Sequence, residues 1–194
     1  MHSSSTIIAS SGVFQIEFLK QVRNQDFNEL IKVSKSLEKE FGLRAILTES
    51  TIEKYFNQSK SLPFIARYRS EIIGYIIGIP LEELKQEPWV RTEKNYGKKN
   101  TIYTYAFVIM DSFRRNGYAK MLKKVFLSKA EKLEEISYVT GHVLKGISSN
   151  FTGNIEVVST VKNWQGTGKE FEYYRRTISS VSYTHLRAHE TLGN

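Results

Sequence analysis

Residues 101–143 allow fewer folds than any other part of the chain. An apolar strand over 102–110 breaks at Asp111 and Ser112 and passes through a basic turn made by Arg114, Arg115, Asn116, Gly117, Tyr118 and Ala119. It continues as an amphipathic helix in which Ala119, Leu122, Phe126, Ala130 and Leu133 share a face. A second strand follows over 138–143. Strand, crossover helix and strand make a right-handed parallel unit, which belongs to an α/β chain with helices laid on its sheet.

The other segments extend that sheet. Residues 13–22 alternate apolar and polar positions as a first strand does. A helix capped by Asn24 or Asp26 follows, with Phe27, Leu30, Ile31, Leu37 and Phe41 on one face and Gly42 as its stop. Ser50 and Glu53 fit a capping box for a second short helix over 48–57. Residues 63–68 and 72–79 read as a hairpin around Arg69, Ser70 and Glu71, the second strand apolar on both faces and hence central. About twenty polar residues separate this hairpin from the next strand, far more than the usual 2 to 5 of a hairpin loop. An acceptor-site flap and a packing or homodimer contact both fit this insertion. Residues 153–161 read as a further helix and 170–178 as a closing strand. The expected architecture is a single α/β domain, a mixed sheet of six to seven strands flanked by about four helices. Residues 1–12 are expected to be disordered.

The basic turn has a chemistry of its own. The first N–H groups of a helix lack intrahelical partners and carry partial positive charge, so main chain alone can hold a phosphate. Gly117 and Ala119 keep the approach free of bulk, and Arg114, Arg115, Lys120, Lys123 and Lys124 add cations.

At these residues the chain resembles the GNAT superfamily of acyl-CoA-dependent N-acyltransferases, whose cofactor motif reads Q/R, x, x, G, x, G/A. Arg114, Gly117 and Ala119 take its first, fourth and sixth places. The resemblance implies that Arg114, Arg115, Asn116, Gly117, Tyr118 and Ala119 hold the pyrophosphate of acetyl-CoA. It implies a V-shaped splay between the fourth and fifth strands, with pantetheine pairing there to Phe107, Val108 and Ile109 and an oxyanion donor near Ile109. It also expects a helix that starts at an Asn and carries a Tyr two turns later. Asn154 fits the first requirement, the Tyr place falls near Val161, and the Gly-Phe turn that should follow becomes Trp164, Gln165, Gly166.

Acyl transfer to an amine needs a route to deprotonate an ammonium of pKa roughly 8 to 10 and a proton for the leaving thiolate. Tyr173 or Tyr174 can stand in for the missing helix Tyr, His142 can relay a proton from the acceptor, and Tyr105 can line the acceptor channel. A packed tyrosine or a structural histidine would look the same in sequence. No carboxylate lies on the fourth strand, so the base is unassigned.

Composition narrows the field. No apolar run reaches the roughly 18 to 20 residues of a membrane span. The N-terminal residues do not read as a secretory leader, so none is expected, and zero cysteines removes thiolate metal sites and nucleophiles. Cytoplasm is the default compartment, and no metal is expected. The net charge of +8 suits an anionic partner such as coenzyme A. The leading reading is therefore an N-acetyltransferase that moves the acetyl group of acetyl-CoA to a small-molecule or peptide amine in a ternary complex. A GNAT-like coenzyme A binder without catalysis is the alternative. A nucleic-acid module rests on charge alone, without a recognised motif. Residues 181–191, VSYTHLRAHET, read as translated sequencing-library adapter, so 181–194 are expected to be a non-native tail that removes His185 and His189 from any metal site.

Overall fold

The computed structural model describes residues 3–178; the adapter-like tail, with His185 and His189, lies outside them. Eight strands form one sheet: β1 (Ser4–Ser11), β2 (Phe14–Gln21), β3 (Leu62–Tyr68), β4 (Glu71–Pro80), β5 (Thr101–Ile109), β6 (Tyr138–Leu144), β7 (Ile155–Val161) and β8 (Phe171–Thr177), in the order β1-β2-β3-β4-β5-β6-β8-β7. The fourth and fifth strands of the sequence reading are thus β5 and β6. Every pair is antiparallel except β5 with β6, which the crossover helix α4 (Tyr118–Glu131) connects. The other helices are α1 (Asn24–Ser34), the single turn α2 (Glu38–Phe41) and α3 (Glu49–Phe56).

Two expectations fail, and both account for the extra strands. Residues 4–11, expected to be disordered, fold back through Gly12 at φ +60° and pair along β2. Small polar side chains hid this strand, because its stabilisation comes from backbone bonds at an open edge rather than from burial. Residues 153–161, expected to be helical, form β7 instead. Ile155, Val157, Val158, Thr160 and Val161 are β-branched, which disfavours helix and suits an edge strand against β8. Caps also differ in detail. Arg23 occupies the N-cap of α1 without a side-chain cap bond, and the capping box of α3 is Thr48 with Thr51.

Helices cover both faces. Leu30 and Val33 of α1 and Ile52 and Phe56 of α3 pack with Ile77, Ile79 and Tyr103 on one face. Leu122, Phe126 and Ala130 of α4 pack with Phe64, Ile76 and Ile102 on the other. The insertion between β4 and β5 joins the α1 face as two 3-10 turns, Leu81–Leu84 and Pro88–Thr92, with Leu81, Leu84 and Val90 buried. Glu82 Oε1 accepts N–H bonds from Gly97 and Lys99, at 3.1 and 2.8 Å. Buried Glu93 pairs with Arg175 of β8, which also reaches Glu156 at 3.0 Å. The insertion is a packed plug and not a free flap. No helix among the described residues is long and apolar enough to cross a membrane.

Candidate active site

The turn before α4 is shaped by backbone. Gly117 sits at φ +78°, the left-handed region that glycine enters without strain. The first bond of the helix runs from Met121 N–H to the Gly117 carbonyl, so the N–H groups of Tyr118, Ala119 and Lys120 have no helical partner. Asn116 braces the turn by donating from Nδ2 to the carbonyls of Phe113 and Arg114, both at 3.3 Å. Arg115 carries the second positive φ of the turn, +66°. A Cβ placed on Gly117 would meet no atom within 4 Å. The ground before this N-terminus is therefore open, flanked by the Arg114 guanidinium, which pairs with Asp111 at 2.9 Å. Free donors, cations and room suit a diphosphate. The Tyr118 ring is engaged elsewhere, stacked on Phe14 with centroids 4.2 Å apart.

Through Arg114 and Ala119 the turn borders one end of a cavity of about 670 Å³. Its other end lies across the sheet, and the passage exists because β5 and β6 part. They pair only from Thr101–Tyr138 to Tyr103–Thr140. The cause is visible on the opposite edge of β5, where the register against β4 slips by one residue between Thr104 and Ala106. Tyr105 is the extra residue of this β-bulge, and both it and Ala106 pack toward the α1 face. A bulge bends its strand, so β5 swings from β6 at that point. The edge from Thr104 to Ile109 then faces the cavity with unpaired peptide groups, an acceptor for an added strand-like chain.

Each face has its own lining. On the α4 side are Ala119, Lys123, Gly141, Phe151 and Tyr174. The Tyr174 hydroxyl lies 3.1 Å from the position a Gly141 Cβ would take, so Gly141 leaves space for that phenol. Burial pushes the Tyr174 phenol up, which keeps it protonated. The Lys123 ammonium stands 3.3 Å from the Phe151 ring centroid, and burial, helped by the Arg176 charge, holds it at about 8. On the α1 side the lining includes Tyr55, Glu87, Trp89, Tyr105, His142 and Trp164. Tyr105 packs on Tyr55 with centroids 4.4 Å apart, and burial raises its phenol well above the usual range.

The sequence candidates therefore divide. Phe107, Val108, Ile109, Arg114, Ala119, Tyr105 and His142 all line the main cavity. Arg115, Asn116, Gly117 and Tyr118 shape the turn beside it without lining it. Asn154 does not line it either; it begins no helix, and its carbonyl accepts from Thr177 N–H at 3.1 Å in the turn into β7. Tyr173 also stands off the main cavity and faces a smaller hollow of about 290 Å³ with Trp89, His142 and Arg175. Strand alternation places Tyr174, not Tyr173, on the side of the anion turn. Glu87 and Trp89 escaped the sequence reading, because an insertion without periodicity gives no sign of which side chains turn inward.

His142 is a poor proton relay. Trp164 stacks on it at 3.7 Å, Trp89 meets it edge-on at 4.8 Å, and its Nδ1 lies 3.0 Å from the Tyr103 hydroxyl. Burial lowers its pKa to about 3, so the ring is neutral. Between pH 6.5 and 3 the unfolded chain takes up a proton here that the folded chain refuses, so stability falls as pH drops through that window. The expected slope is at most about 1.4 kcal/mol per pH unit. Urea midpoints measured from pH 7 to 4 should fall more steeply for the wild type than for His142→Phe. Parallel curves would mean that His142 titrates normally.

The sequence matches the model of the acetyltransferase (GNAT) family over residues 27–147. The chain belongs to the GNAT family. Among solved structures it is similar to the ribosomal-protein-S18-alanine N-acetyltransferase of Escherichia coli, at 11% identity and TM-score 0.60, covering 93% of this chain and 99% of that one. It is likewise similar to Arabidopsis thaliana Naa50 in complex with the bisubstrate analogue CoA-Ac-MVNAL, at 13% identity, TM-score 0.60 and coverage of 85% and 99%. A third likeness is to an aminoglycoside 6'-acetyltransferase type Ii, at 16% identity, TM-score 0.57 and coverage of 81% and 94%. At these identities the likeness carries the GNAT fold. A search of curated proteins finds no match. As a GNAT chain it departs from the expected pattern between β6 and β7, where ten residues with one 3-10 turn, Ser148–Asn150, replace a helix. Among the described residues, no group of three or more His, Cys, Asp or Glu side chains could hold a metal ion.

Proposed function

We propose that this protein is an N-acetyltransferase that transfers the acetyl group of acetyl-CoA directly to a primary amine within a ternary complex. The observation that carries this reading is the passage through the sheet, which joins the anion turn on the α4 face to an aromatic hollow on the α1 face. Acetyl-CoA, when bound, supplies the activated acyl group as a thioester.

The chain's own residues divide the remaining work. Backbone N–H groups at Tyr118, Ala119 and Lys120, with Arg114 and Arg115, hold the pyrophosphate. The open edge at Phe107, Val108 and Ile109 orients the pantetheine arm, and a main-chain N–H there faces the developing oxyanion. Tyr174 Oη holds the proton destined for the thiolate, the duty the absent helix leaves vacant. Tyr105 borders the acceptor. Most of the rate comes from positioning.

The test is release of free thiol from acetyl-CoA over a panel of amines. Tyr174→Phe should lower kcat about 100-fold with little change in the KM for acetyl-CoA, whereas Tyr173→Phe should leave kcat within about two-fold. The reverse pattern would remove Tyr174 from the mechanism. A coenzyme A binder without catalysis is the second reading, favoured by the missing helix and the neutral His142. Tight acetyl-CoA binding with no thiol release on any amine would establish it.

A further inference from the structure

The cavity's α1 side holds a carboxylate that the fold leaves without a counter-ion. Glu87 lies between the two 3-10 turns of the insertion and lines the cavity with Tyr55, Trp89 and Tyr105. It is half-buried, and no ion pair or side-chain hydrogen bond engages its carboxylate among the described residues. It shares the cavity lining with Tyr103 and Tyr105, whose phenols are raised by burial and neighbouring tyrosines and, least, by the Glu87 charge. The other carboxylates of the insertion with structural duties are engaged: Glu82 by two backbone N–H groups and Glu93 by Arg175. The one imidazole nearby, His142, is neutral. Glu40 and Arg44 also line the cavity, but an unpaired carboxylate that shares its lining with Tyr55, Trp89 and Tyr105 is a site for a cation.

The geometry points to Glu87 as the residue that recognises the acceptor, binding a primary ammonium carried on a flat apolar body that lies against Tyr55, Trp89 and Tyr105. It rests on the acetyltransferase reading, which leaves the class of amine open. The carboxylate fixes the nitrogen end by a charge-assisted hydrogen bond, and the rings fix the body. Recognition thereby comes from the insertion, whose anchors at Leu81, Leu84, Val90 and Glu93 hold Glu87 in place.

The test is binding, independent of turnover. Full-length protein, with and without coenzyme A, is titrated with 2-phenylethylammonium chloride and with the neutral 2-phenylethanol. The wild type should bind the ammonium about ten-fold more tightly than the alcohol, and Glu87→Gln should bring the two within about two-fold. Glu83→Gln, an exposed charge on the same insertion, should keep the wild-type ratio. Absence of ammonium binding, equal binding of both probes by the wild type, a ratio preserved in Glu87→Gln, or one lost equally in Glu83→Gln would each overturn the assignment. Coenzyme A affinity is read separately in the same titrations and should be unchanged by Glu87→Gln. Its absence in the wild type would remove the acetyltransferase reading, while the amine titrations still decide Glu87.

Discussion

Gly117→Glu is expected to abolish measurable acetyl-CoA binding, a loss of at least about 100-fold, while the protein stays folded. Three effects act together. The backbone at φ +78° disfavours any residue with a Cβ, at a cost of about 1 kcal/mol. The new side chain projects into the open ground that would take the pyrophosphate. Its negative charge faces the same anion and cancels part of the field of Arg114 and the helix N-terminus. Isothermal titration with acetyl-CoA measures the loss, and circular dichroism checks the fold. Gly117→Ala separates the effects, since it adds the backbone strain with little bulk and no charge, and should weaken binding by about ten-fold or less. Undiminished binding in Gly117→Glu would show that the turn before α4 is not the phosphate site.

Arg175→Met is expected to be the most destabilising single substitution discussed, by about 3 to 5 kcal/mol. Arg175 is 2% exposed and its partner Glu93 is 9% exposed. Removing the guanidinium strands a carboxylate between the insertion and β8, with no second cation in contact with it among the described residues. Thermal unfolding should shift down by about 10 °C for a domain of this size. The double variant Arg175→Met with Glu93→Met should recover most of that loss, because two apolar side chains can replace a buried pair with little net cost. A double variant as unstable as the single one would locate the energy in packing around Arg175 and not in the stranded charge.

The parallel unit was legible because its parts carry independent signals: an apolar strand, a glycine at a left-handed position, and a helix with core residues at regular spacing. Arg114, Gly117 and Ala119 accordingly lie in the turn and the first helical turn that the local pattern predicts. The acceptor half gave no such signal. Glu87 and Trp89 reach the cavity through a loop whose course depends on distant partners, above all the pairing of Glu93 with Arg175, 82 positions later. Tyr173 and Tyr174 were indistinguishable in sequence, since a strand of unknown register can present either one to a given face. Residues 153–161 misled for a different reason. Asn154 fits the start of the helix that the resemblance expects, but β-branched side chains and an unpaired edge on β8 favour extended chain, and tertiary pairing decided the outcome.

The bulge at Tyr105 has a consequence for how such a passage originates. Where β5 leaves β6, it carries one residue more of chain than β4 across that step. Strand length, not residue chemistry, encodes the opening. Loss of a single codon there would restore an even ladder between β4 and β5, leave the downstream side chains on the layers they already face, and allow the two parallel strands to zip shut. A gain or loss of one codon is thus the smallest genetic step between a solid sheet and one that a substrate arm can thread.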